Sequence, residues 1–236
     1  MNRSLPILTL TAASLLAGCS DNDSNAIIPE PQEPEMATFE VTVINLTAAQ
    51  PMSPVAAYLH NGTASGWRFG QAASVELEQL AEAGDGSGWL SRATDNGAFA
   101  TASGDGILMP GASQTLSLTL ETGNTLMLTS ATMLVNTNDA FAGINGWDLT
   151  DLAVGDSMTV TLPVYDAGTE ANSELAATIP GPAGGGAGFD SSRDDVDFVA
   201  RHPGVVGNQD GAADSALDGR HSFDAPVARL TVMRSQ

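Results

Sequence analysis

The sequence predicts a mainly β fold, an antiparallel β-sandwich with one short helix and long loops. Three observations lead there. Apolar and polar residues alternate in several short runs, the period of strands with one buried face. Gly, Pro, Asn and Asp punctuate those runs, and a single segment carries helical spacing. The chain has 236 residues, 42% of them hydrophobic, which is ample for one core.

Residues 1–18 stand apart from that pattern. Arg3 precedes an apolar run from Leu5 to Leu16 without any acid, a secretory leader too short for a spanning helix of roughly 20 residues. It ends in Leu16-Ala17-Gly18-Cys19, similar to the bacterial lipobox, in which cleavage leaves the cysteine as an acylated first residue. Cys19 is the one cysteine in the chain, and the polar run Ser20 to Asn25 follows it, which argues against a buried thiol. Acylation also accounts for an exported chain without a disulfide. Ser20 resembles the sorting residue of lipoproteins sent to an outer membrane. Residues 19–36, with Pro29, Pro31 and Pro34 among Glu30, Glu33 and Glu35, read as a stiff, charge-repelled tether. Residues 37–236 are the domain.

Within it, Phe39, Val41 and Val43 alternate with Thr38, Glu40 and Thr42 as a first strand running to Leu46. Pro51 and Pro54 then forbid regular pairing, so Thr47 to Pro54 is an irregular loop. From Gln71 to Ala83, residues Ala73, Leu77, Leu80 and Ala81 share a helical face, Glu76 and Glu78 point elsewhere, and Gly84 ends the helix. Residues 84–114, rich in Gly, Ser, Asp and Asn, read as loops with one or two short edge strands. Leu116, Leu118 and Leu120 alternate in another strand, and Gly123-Asn124 suits a hairpin turn into the apolar strand 126–135. Met158, Val160, Leu162 and Val164 alternate in a strand that ends at a carboxylate-bearing loop. Gly181 to Gly188 is loop, the acidic Asp190 to Asp197 follows, and Val227 to Met233 is the last strand.

The formal charge of -20, with eight Arg and no Lys, excludes a nucleic-acid footprint and favours cations as partners. Two loops concentrate that charge. Val164 to Asn172 carries Asp166 and Glu170 around Gly168, which allows a sharp turn, and Asn136 to Gly143 carries Asp139. Hard oxygen ligands without histidine or thiol point to calcium rather than zinc. The segment Asp21 to Gln32 imitates a calcium loop but has Ala26 and Gln32 where Gly and Glu belong. No catalytic signature occurs: Gly-x-Ser-x-Gly and His-Glu-x-x-His are absent, and the glycines at 181–188 form no phosphate fingerprint. His60 and His202 read as structural.

Glu40 to Thr47, Ser53-Pro54, His60, Ala81-Glu82-Ala83-Gly84, Asn138-Asp139-Ala140-Phe141-Ala142-Gly143 and Tyr165-Asp166-Ala167-Gly168-Thr169-Glu170 together resemble the spondin domain over roughly residues 38 to 233. The resemblance implies a calcium-binding β-sandwich with Asp139, Asp166 and Glu170 as ligands. A further glutamate contributes in some members, and Glu121 lies near its place. The animal members are matrix and adhesion proteins with disulfides that this chain lacks. The expectation is a non-enzymatic adhesion or recognition module, lipid-anchored in the membrane at Cys19, with an extracellular or periplasmic protein or glycan as partner. The alternatives are a calcium-bridged binder of a small anionic ligand and a metal-dependent hydrolase.

Overall fold

The computed structural model describes residues 35–122 and 125–236. The leader, Cys19, the tether up to residue 34 and the Gly123-Asn124 turn lie outside the described residues. The expected sandwich is present as two antiparallel sheets. Strands β1 (Met36–Asn45), β4 (Ser113–Glu121), β7 (Ser157–Leu162) and β10 (Ala228–Arg234) make the first, in the order β4-β1-β10-β7. The second is β3-β2-β5-β6-β8-β9, from β2 (Ala56–His60), β3 (Ala100–Ser103), β5 (Met127–Met133), β6 (Ala140–Asp148), β8 (Val164–Asp166) and β9 (Ala200–Arg201).

The first sheet follows the alternation in the sequence. In β1, Phe39, Val41 and Val43 face Leu116 and Leu118 of β4 and Leu230 and Val232 of β10 in the core, while Thr42 and Thr115 bond across the outer face at 2.8 Å. The second sheet is covered on both faces. Ala57 and Leu59 of β2 enter the core between the sheets, and Ala56 and Tyr58 enter a second cluster with Trp67, Leu77, Leu80, Trp89, Phe141 and Tyr165. Burial on both faces abolishes alternation, which is why β2 reads in sequence as an undivided Ala-Ala-Tyr-Leu-His.

That second cluster is roofed by two helices, one more than the sequence predicts. Helix α1 (Val75–Ala83) starts later than Gln71, because the Ser74 hydroxyl accepts the Leu77 N–H at 3.3 Å as N-cap, and it ends at Gly84 with φ +72. Glu78, expected on an outer face, is buried against Arg193. Helix α2 (Ser87–Asp95) corrects the loop reading of residues 84–114. Its composition is weak for a helix, and it has no side-chain cap, but Trp89 and Ala93 lie one turn apart and pack under it. Trp89 packs at a tilt against Tyr58 and stacks on Trp67, with ring centroids 4.9 and 6.5 Å away.

Two further corrections concern connections. The strands flanking Gly123-Asn124 do not form a hairpin, since β4 and β5 belong to different sheets. The run 157–164 is likewise two strands. Pro163, which lacks an N–H, separates β7, paired with β10, from β8, paired with β6 and β9. This switch of sheets carries Asp166 to the edge where β6 begins.

Candidate functional site

Asp139 immediately precedes β6, and Asp166 ends β8 directly opposite Ala140 in the ladder. The register alone therefore makes the two acids neighbours. The approach to Asp139 is rigid: the Thr137 hydroxyl donates to the Leu134 carbonyl at 2.6 Å and accepts the Ala140 N–H at 3.2 Å. Asn136, Thr137, Asn138 and Asp139 are all buried. On the facing loop, Asp166 Oδ1 accepts the Gly168 N–H at 2.8 Å, a tight turn that Gly168 completes at φ +71. A Cβ there would lie 2.3 Å from the Phe198 carbonyl oxygen, so glycine is required twice over.

The turn aims the next amides at Asp139. Its Oδ2 accepts Thr169 N–H at 2.8 Å, Glu170 N–H at 3.2 Å and the Thr169 hydroxyl at 3.2 Å. Its Oδ1 has no partner, and the residue is 0% exposed. Burial, and then the Asp166 charge, push the Asp139 carboxyl up to about 7, against those three donors. Asp166 Oδ2 accepts the Asn172 amide at 2.6 Å, and Asn172 Oδ1 lies 3.0 Å from His202 Nε2. His202 Nδ1 accepts Gly204 N–H at 3.0 Å, so Nε2 carries the proton and donates to Asn172. Burial lowers the His202 pKa, and the Asp166 charge opposes that.

Glu170 joins this pair only in part. Its amide serves Asp139, but its side chain is pushed up to about 7 by burial and by the charges of Glu82, Asp194 and Asp190, with the Asn138 side chain acting the other way. Its Oε2 is buried without a partner. The acidic stretch 190–197 straps this region, which sequence reading did not indicate: Asp194 N–H donates to Thr169 carbonyl at 3.1 Å and Asp197 N–H to Gly168 carbonyl at 2.8 Å. Arg193 ties the strap to α1 through Glu78. Only the acidity of the stretch hints at this placement.

Glu121 is not brought to the site. It is exposed at the end of β4 beside Met36, the far end of β1 from Gln50, whose amide donates to the Asn136 carbonyl. His60 is structural as expected, bonded to Thr129 Oγ1 at 2.9 Å and to Gly62 N–H at 3.0 Å. Among the described residues, no three Asp, Glu, His or Cys side chains already converge on one point as a metal cage. The donor set nevertheless suits a hard cation: carboxylate oxygens only, two of them orphaned in buried space, with the Asp166 charge pressing on Asp139 and the Glu82 charge on Glu170.

A two-sheet β-sandwich that gathers acidic loops at the edge between β6 and β8 is thus the class of module defined here. The Spondin_N family model matches residues 46–179, more than half of the chain, and the chain belongs to that spondin N-terminal domain family. No curated protein matches it. The family points to an exported recognition or adhesion type of module, and among the described residues no helix is long and apolar enough to cross a membrane.

Proposed function

We propose that the chain is a calcium-binding recognition or adhesion module of the cell envelope, held to the outer membrane by a lipid on Cys19, and not an enzyme. Its partner is a protein or glycan outside the cell or in the periplasm. The observation that carries the calcium reading is the buried Asp139 carboxylate beside Asp166, with Oδ1 left unpartnered. Burying such a group without compensation costs several kcal/mol, on the order of the penalty for an unpaired ion. Asp139, Asp166 and Glu170 would hold the ion. Calcium would supply the positive charge that lets the raised carboxyls of Asp139 and Glu170 ionise, and a flexible shell of about six to eight oxygens accepts Glu170 in place of a shorter acid. The residues themselves fix the loops: Gly168 makes the turn, and the Thr169 and Glu170 amides orient Asp139.

Calorimetric titration of the detergent-purified mature chain with calcium chloride tests this reading. Binding that is lost in both Asp139→Asn and Asp166→Asn supports it. Wild-type affinity in either variant sinks the site. The anchor is tested separately, by the mass of the N-terminal peptide and by fractionation of Cys19→Ala, which should leave the membrane fraction.

A further inference from the structure

Helix α1 carries two glutamates one turn apart, Glu78 and Glu82, and both are buried beneath the strap. A buried carboxylate needs partners for both oxygens. Glu78 has an ion pair, with Arg193 Nη2 donating to Oε2 at 2.6 Å, so its charge is compensated although its Oε1 has no partner. Glu82 has no cation. At 1% exposure, its Oε2 accepts the Asp190 N–H at 2.9 Å and its Oε1 has no partner. Glu170 Oε2 is also buried and orphaned, and among the acids pressing on Glu170 the charge of Glu82 acts most strongly. The Thr169 side chain, which donates to Asp139, acts on Glu82 as well. Two unsatisfied buried oxygens, one from α1 and one from the β8 loop, thus sit on two acids of which Glu82 presses on Glu170.

We propose that Glu82 is a fourth protein ligand of the cation, supplied by α1, and that Asp190, held on its other oxygen, closes the site over it. The inference rests on the calcium reading above. It makes the ion a tie between four segments distant in sequence: α1, the 136–143 loop, the 166–170 turn and the 190–197 strap. A glutamate that served only to cap the Asp190 amide would need one oxygen, and glutamine would do the same work.

The test is calcium titration of the detergent-purified mature chain carrying Glu82→Gln, with Asp166→Asn in parallel, and melting of each in EDTA. Glu82→Gln is expected to weaken calcium binding by about tenfold or more while its melting temperature in EDTA equals or exceeds that of the wild type, because an orphaned charge has gone. Glu82→Leu, which puts apolar volume in place of the carboxylate, should weaken calcium equally. Wild-type affinity in a folded Glu82 variant, with binding lost in Asp166→Asn, overturns the role of Glu82 and leaves the calcium site standing. Unchanged binding in both variants, or no binding by the wild type, overturns both.

Discussion

Replacing Asp139 by asparagine should stabilise the metal-free protein at mildly alkaline pH and destabilise it relative to wild type in calcium. The carboxyl is raised from 3.8 to about 7, a displacement that already nets the three donors on Oδ2 against burial and the Asp166 charge. At 1.36 kcal/mol per unit, ionised Asp139 opposes folding by about 4 kcal/mol. Asparagine removes that charge but leaves a buried NH2 where Oδ1 stood, at a cost of about 1–3 kcal/mol. The net gain is about 1–3 kcal/mol, a rise of roughly 2–12 °C in a domain of this size. The sign depends on pH. The folded carboxyl titrates higher than the unfolded one, so the wild type is destabilised as pH climbs from about 4 to about 7, and the variant's advantage should vanish near pH 4. Calcium reverses the order, since saturation at a thousand times Kd stabilises the wild type by about 4 kcal/mol. Melting followed by circular dichroism in EDTA and in calcium, near pH 5 and near pH 8, reads all of this. A variant less stable than wild type in EDTA near pH 8 would refute the reasoning.

Glu170, raised in the same direction, adds to the pH effect, so the EDTA melting temperature of the wild type should fall between about pH 5 and pH 8 and that fall should be abolished by calcium. Gly168→Ala places a Cβ against the Phe198 backbone at φ +71 and should cost more than about 1 kcal/mol, together with a loss of calcium affinity, measurable by melting and titration. Arg193→Ala leaves Glu78 buried without its cation; a loss of about 3 kcal/mol and faster hydrogen exchange across residues 190–197 are expected. Leu230→Ala, at 0% exposure between the sheets, should cost about 2–5 kcal/mol by denaturant titration and leave the calcium constant unchanged.

What the sequence by itself determined about this protein was the strands of the first sheet, each with one wet face, together with helix α1. The alternations in β1, β4 and β10 are legible because solvent on one side of the first sheet imposes polar residues there. The Asp139, Asp166 and Glu170 loops were legible as carboxylates grouped around Gly168 after apolar runs. Tertiary structure alone decided the rest. Strand β2 is buried on both faces, so no alternation marks its edges, and α2 is held by Trp89 and Ala93 against aromatics from other segments, not by its own propensity. Pro163 reads as one residue in a strand, yet it is where the chain passes between sheets, because pairing partners come from β10 on one side and β6 on the other. Glu82 reads as an ordinary helix glutamate. Its burial beside Glu170 arises because α1 lies under a strap more than a hundred residues away, and a contact over that separation leaves no periodic trace in the sequence.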